Sequence, residues 1–224
     1  NDEKPDIVIH NGDSADMPSL SSYDRGKKSF QGRTYRADID THLDFNYRLW
    51  DTVRSTKRKL PVTYFFEGNH ENRIKKAINL QPELEGTISF KDLELSRWYD
   101  EVIEYDSTSP GVLDVCGISF SHFHISGVMG RPIGGEHPAY SLVSKQFKSI
   151  VAGHLHLFDY CVRTDASGSK LFGLVLPCFF DYESDWAGAA NKLYSRGVII
   201  LDNVDSGWGD IRFISLDSLR KEYG

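Results

Sequence analysis

Cysteine is scarce: the 224 residues hold three, Cys116, Cys161 and Cys178, an odd number with no paired spacing. That pattern argues against a disulfide framework and points to free thiols in a reducing compartment, so a cytoplasmic location is expected. Long apolar runs are lacking too. None approaches the roughly 20 residues of a membrane span, so no transmembrane segment and no membrane partner is expected. The opening NDEKPDIVIH has no basic stretch followed by an apolar one, and no signal peptide is expected. There is no internal repeat and no low-complexity segment. Excess positive charge is also missing. With 32 acidic against 26 basic residues the net charge is −6, which argues against bulk, sequence-independent nucleic-acid binding. A nucleic acid held at a local basic patch stays open. The remaining composition, 40% hydrophobic and 26% charged, is that of a globular protein long enough for one sizeable core, and one domain over residues 1–224 is the expectation.

Read along the chain, PDIVIH is a short β-branched run after Pro5 and predicts a buried strand. Residues 17 to 37 are polar and predict a long, functional or mobile loop. From about Ala37 a helix is expected, with Ile39, Leu43, Tyr47, Trp50 and Val53 on one face, running to the basic STKRK end. PVTYFF predicts a second strand, ENRIKKAINL a helix stopped by Pro82, and residues 83 to 99 a further short helix. GVLDVCGISFSH reads as a hairpin turning near Cys116-Gly117. A helix over 139 to 149, the strand SIVA and the strands YCVRT, KLFGLVLP, GVIILD and DIRFIS complete a mixed α/β protein.

Four of these strands end in unusual chemistry. IVIHNGDSAD delivers Asp13; TYFFEGNHEN delivers Asn69, His70 and Glu71; GISFSHFH delivers His122 and His124; SIVAGHLH delivers His154 and His156. Ligand sites in open α/β sheets form beyond the carboxyl ends of strands, so one convergent site is expected. Carboxylate, amide and imidazole donors suit Mn, Fe, Zn, Ni or Co, and the absence of cysteine from the set argues against a structural zinc site. Glycine precedes Asp13, Asn69 and His154, which would let the backbone turn sharply and aim the next side chain into a cleft.

GDSAD, GNHE, the strand-end histidine and GHLH, in this order, resemble four of the five signature blocks of the calcineurin-like metallophosphoesterase superfamily, over roughly residues 5 to 160. The resemblance implies a layered sandwich of two mixed β-sheets flanked by helices. It implies a centre of two divalent ions, manganese first among the candidates. Asp13 would bridge them, Asn69, His122 and His154 would bind one, and His156 the other. His70 would be catalytic, beside the leaving group rather than on a metal. The implied reaction is hydrolysis of a phosphate ester by metal-bound hydroxide, with a nucleotide or nucleic acid among the candidate substrates.

The family's first block, Asp-x-His, does not occur before Asp13. The chain therefore reads as lacking the first strand and part of the first helix, which leaves the ion on His156 short of ligands. The alternative function is then a non-catalytic metal-binding or scaffold module of the same fold. Asp16 is followed by Met17, and Glu67 stands before Gly68 where the protein-phosphatase branch has arginine, so a phosphodiesterase or nuclease is expected over a protein phosphatase.

Several residues read as ordinary. Asp16 is expected to brace its loop, and Glu71 to cap a helix or pair with Arg73 or Lys75. His10 and His42 are expected to be structural. His124 is expected to pack or face substrate, and His137 to lie on a glycine-rich loop. Arg25, Arg33, Arg36 and Arg131 are loop arginines of which none stands out.

Overall fold

The protein is described by a computed structural model covering residues 3–55, 59–183 and 185–224. The chain divides into two units, Asn1–Gly111 and Val112–Gly224. Both combine helices with β-sheet, as the α/β reading expected.

In the first unit the β-branched run after Pro5 forms β1 (Ile7–His10), and PVTYFF forms β2 (Val62–Phe66). With β3 (Glu101–Ile103), a strand the sequence reading did not foresee, they build a parallel sheet in the order β1-β2-β3. Between β1 and β2 lies α1 (Tyr35–Arg54), whose N-cap Thr34 accepts a hydrogen bond from Ala37 N. Its buried stripe is Ile39, His42, Asn46 and Trp50. The expected stripe is therefore corrected in part, since Tyr47 is exposed and two polar residues lie inside. They are tolerated because they are bonded: Tyr99 donates to Asn46 Oδ1 at 2.9 Å, and Asn46 Nδ2 lies 3.1 Å from His42 Nε2. Of the basic STKRK end, Thr56, Lys57 and Arg58 lie outside the described residues.

The loop after β1 carries two 3-10 turns, Pro18–Leu20 and Lys28–Phe30. Arg33 ties it by donating to Asp24 Oδ2 at 2.7 Å, and holds the Asp24 carboxyl below the usual range. Helix α2 (Arg73–Leu80) follows β2. The helix expected over 83 to 99 is instead three 3-10 turns, Pro82–Leu84, Phe90–Leu93 and Leu95–Arg97. Glu94, left-handed at φ 48°, breaks the run. Their apolar residues still reach the core, where Leu93, Leu95, Trp98 and Tyr99 pack with Trp50, Phe65 and Ile74.

The second unit opens with the hairpin of β4 (Leu113–Val115) and β5 (Ile118–Ser121). Its two turn residues, Cys116 and Gly117, both have positive φ, the twist a two-residue hairpin requires. A small hairpin of β6 (Ile125–Ser126) and β7 (Arg131–Pro132) precedes α3 (Pro138–Gln146). Strands β8 (Ile150–Ala152), β9 (Asp159–Thr164) and β10 (Lys170–Val175) complete a five-stranded sheet in the order β4-β5-β8-β10-β9. β5, β8 and β10 run parallel, while the edge strands β4 and β9 are antiparallel to their neighbours. Helix α3 lies so close to β10 that a Cβ on Gly173 would sit 2.0 Å from the Ala139 carbonyl oxygen. The long hairpin of β11 (Gly197–Asp205) and β12 (Trp208–Ser215) leads into α4 (Leu216–Tyr223), a C-terminal helix capped by Ser215.

Candidate functional site

In the first unit β1 and β2 are parallel and in register, His10 opposite Phe65. The segments after them therefore emerge at one end of the sheet and meet. Asp13 takes a left-handed backbone conformation, φ 59°. Its loop is held by one buried side chain, Glu71, which is 0% exposed. Glu71 Oε2 accepts from Asp13 N and Gly68 N at 2.9 Å each, and Oε1 accepts from Ala15 N at 2.8 Å. A carboxylate collecting backbone N–H groups forms the strong, charge-assisted kind of hydrogen bond. The Glu71 carboxylate thus serves the Asp13 loop, while α2 begins at Arg73 and Lys75 pairs with Glu67 and Glu104.

Gly68 is needed for space. A Cβ there would lie 2.2 Å from Asp13 Oδ1 and 2.4 Å from Asp13 N. The expected role of the preceding glycines is corrected accordingly. Of the three, Gly12 alone has positive φ, and it is the non-glycine residues Asp13 and His154 that turn left-handed.

His70 N donates to Asp13 Oδ1 at 3.0 Å, so the first-strand carboxylate and the second-strand histidine are fastened together. The His70 ring has partners on both nitrogens. Nδ1 lies 2.6 Å from Asp16 Oδ1, and Nε2 lies 3.1 Å from Arg73 Nη2 and 4.0 Å from Asp13 Oδ2. Burial alone would lower the pKa of this imidazole, but the Asp13 charge and the Asp16 hydrogen bond outweigh it and raise the pKa above the ordinary histidine value. The arginine donates only to an unprotonated Nε2. The geometry is therefore that of the neutral ring, and protonation would require the guanidinium to withdraw. Arg73 also donates to Asp16 O at 2.6 Å, bracing the loop that carries Asp16. Burial works to raise the Asp16 pKa, yet the His70 hydrogen bond and the His70 and Arg73 charges bring it below the usual carboxylate value. Asp16 braces, as expected, and what it braces is the histidine.

Beneath this loop runs a buried polar chain. Ser14 Oγ lies 3.4 Å from His42 Nδ1, His42 Nε2 lies 3.2 Å from Leu93 O, and Tyr99 OH lies 2.8 Å from His10 Nδ1. Burial lowers the pKa of both His10 and His42 to about 4. Both are structural, as read. Asn69 stands half-buried in the turn between β2 and α2.

In the second unit β5 and β8 are likewise parallel, Ser121 opposite Ala152, and their next residues carry the histidines. Gly153 N donates to His122 O at 2.9 Å. The rings of His122 and His154 stand 5.3 Å apart, edge to face. His122 is fully buried and His154 half-buried. His154 and His156 both adopt left-handed φ, 65° and 58°, around a tight turn in which Leu155 N donates to Gly153 O at 2.7 Å. Left-handed backbone is uncommon outside glycine, and aspartate, asparagine and histidine are the residues that enter it most readily. The His156 ring packs edge-on against Tyr194 at 4.8 Å and Phe180 at 5.3 Å. His124 is buried, its Nε2 lies 3.0 Å from Val151 O, and its pKa is lowered to about 4 by burial: it packs. His137 and Arg131 are exposed, and Arg36 pairs with Asp40 along α1.

Of the expected site residues, the first unit thus gathers Asp13, Asn69 and His70, and the second gathers His122, His154 and His156. The sequence reading missed the part played by Glu71 and by Arg73. Both stand within three residues of His70, and an acid directly after the histidine was the available signal. No helix among the described residues is long and apolar enough to cross a membrane. Comparison with family models, with curated proteins and with solved structures gives no match.

Proposed function

We propose that the chain is a metal-dependent hydrolase of phosphate esters, of the phosphodiesterase or nuclease kind, with the layered sandwich fold of the metallophosphoesterases its motifs resemble. The observation that carries this reading is the agreement between the two units. In each, the donors follow the carboxyl ends of parallel, in-register strands, and Asp13, His154 and His156 all hold left-handed backbone. The strand-end placement carries the weight, since turn residues such as Glu94 and Cys116 hold the same backbone.

On the resemblance of the motifs, Asp13, His122 and His154 would share one divalent ion, with Asn69 as a further oxygen donor. One carboxylate and two imidazoles fit Mn, Fe, Co, Ni or Zn, and manganese is the first choice. The second ion of the sequence reading would draw on Asp13 and His156 alone among the residues named here. When bound, a divalent ion supplies Lewis-acid stabilisation of a phosphoryl group and makes water a stronger acid.

The chain's own residues supply the rest. Glu71 fixes the Asp13 loop so that the carboxylate is presented without rearrangement. Asp16 holds the His70 ring through Nδ1; Nε2, once Arg73 has left it, takes up a proton from water and passes it to the departing oxygen. Arg73, now on Nε2, is drawn off by an anionic substrate and then meets its oxygens. The three free cysteines suit a cytoplasmic setting.

The test is Mn²⁺-dependent hydrolysis of bis-p-nitrophenyl phosphate, with manganese binding measured by calorimetry alongside and Asp13→Asn as the control. Metal-dependent turnover that Asp13→Asn abolishes is expected. Manganese binding without turnover would overturn the hydrolase and leave a metal-binding scaffold. Absence of both would overturn the metal site.

A further inference from the structure

A groove of about 490 Å³ opens in the second unit among Tyr182, Tyr194, Arg196, Phe213 and Arg220. It is reached from His156 through rings. His156 contacts Tyr194 and Phe180, and Phe180 stands 4.8 Å from Tyr182 at an interplanar angle of 33°. Tyr182, at the outer end, is 54% exposed. The Arg196 guanidinium lies 5.6 Å over the Phe180 ring and donates to the Tyr182 carbonyl at 3.3 Å. A ladder of rings thus runs from a proposed metal ligand to solvent, stiffened at its middle by an arginine.

We propose that this groove receives a nucleobase, so that the ester hydrolysed is that of a nucleoside. The inference rests on the phosphoesterase reading for its placement beside the chemistry. Three features favour this occupant. A half-open aromatic wall offers a face for stacking, and every base has a π-face to present. The volume falls within the range of small-ligand sites. The lining is slightly acidic rather than basic: Asp181, Glu183 and Asp217 stand with Arg196 and Arg220, and Arg220 is already paired with Asp181 and Asp217. A track for a nucleic-acid backbone needs a basic stripe. This lining lacks one, while its carboxylates and guanidinium groups can bond to the edges of a single base.

The test separates the two readings by using ligands without phosphate. Adenosine and guanosine are titrated into the metal-free protein and followed by saturation-transfer NMR, in the wild type and in Tyr182→Ala, Tyr182→Phe and Asp13→Asn. Binding is expected in the wild type, retained in Tyr182→Phe, which keeps the ring, and in Asp13→Asn. It should weaken about tenfold or more in Tyr182→Ala, the loss of one stacking partner. In the manganese form, kcat/KM for the diester adenosine 5′-(p-nitrophenyl phosphate) over ethyl p-nitrophenyl phosphate should be high and should fall in Tyr182→Ala. Nucleoside binding that is absent, or equal in Tyr182→Ala, overturns the base site whatever the hydrolysis assay shows. Nucleoside binding without ester hydrolysis overturns the phosphoesterase reading and leaves the base site standing. Binding of an oligonucleotide far tighter than of nucleosides, with a steep salt dependence, overturns the single-base occupant in favour of a strand.

Discussion

Replacing Glu71 should damage both the fold and the metal site, by amounts that its hydrogen bonds allow to be worked out. Its carboxylate is fully buried and accepts from Asp13 N, Ala15 N and Gly68 N at 2.8–2.9 Å. A buried N–H left without an acceptor costs about 1–3 kcal/mol. Glu71→Ala strands three of them and opens a space behind the loop, so a loss of about 3–9 kcal/mol is expected. Glu71→Gln should cost less, about 2 kcal/mol. Its amide oxygen can replace Oε2 and keep two acceptor contacts, but its NH2 then faces the Ala15 N–H. Urea unfolding followed by the fluorescence of the chain's four tryptophans gives the stability, and calorimetry gives manganese affinity. Both variants should bind manganese more weakly, since the outer partners of metal ligands typically contribute about 10–100-fold. An Ala variant that loses under about 1 kcal/mol and binds manganese as the wild type does would refute the reasoning, because the loop would then hold itself.

Three further outcomes follow from the same geometry. Asp13→Asn should stay within about 1 kcal/mol of wild-type stability, since asparagine tolerates left-handed backbone, while manganese affinity falls by more than the roughly 10–100-fold of an outer-partner loss; an unchanged calorimetric titration would remove Asp13 from the ligand set. Gly68→Ala should cost about 1–3 kcal/mol, as overpacking does, and displace Asp13, read as a lower melting temperature together with weaker manganese binding. Burial holds the His42 pKa at about 4, so between that pH and about 6.5 the unfolded chain binds the proton that the folded chain refuses. Stability should therefore fall as the pH drops through this window, by up to about 3 kcal/mol for this residue. Urea midpoints at pH 7, 5.5 and 4.5 for wild type and His42→Gln should converge toward the acid end, and parallel profiles would reject this account.

What the sequence made legible was periodic or punctuated. PDIVIH and PVTYFF became parallel strands because β-branched and aromatic runs have little else to do, and Cys116-Gly117 turned a hairpin at the expected residues. The helix foreseen over 83 to 99 failed because apolar residues at helical spacing bury equally well from successive 3-10 turns. The stripe on α1 was misread for a different reason: His42 and Asn46 are polar by type, and only partners 50 or so residues away make their burial affordable. The same limit hid Glu71. The motif put it next to His70, but two of its three N–H partners come from the Asp13 loop more than 50 residues away, and contacts across such distances leave no local trace. The candidate donors stand at strand ends as the motifs placed them, yet two histidines in the same setting, His10 and His124, serve the structure. How His70 is held, by Asp16 on one nitrogen and Arg73 on the other, needed coordinates.

The left-handed backbone at residues 13, 154 and 156 sets a direction for laboratory evolution. At each position a glycine would adopt this backbone with less strain than aspartate or histidine does, and asparagine with no more. A library screened only for survival of heating should therefore drift toward those replacements at these three codons, and the most heat-resistant clones should be the ones that no longer hold metal. A screen that keeps manganese in the medium during heating should reverse the drift, because the ion then stabilises only the chains that still bind it. Sequencing the survivors of the two regimes would show which side chains the protein keeps for chemistry and which it keeps for standing up.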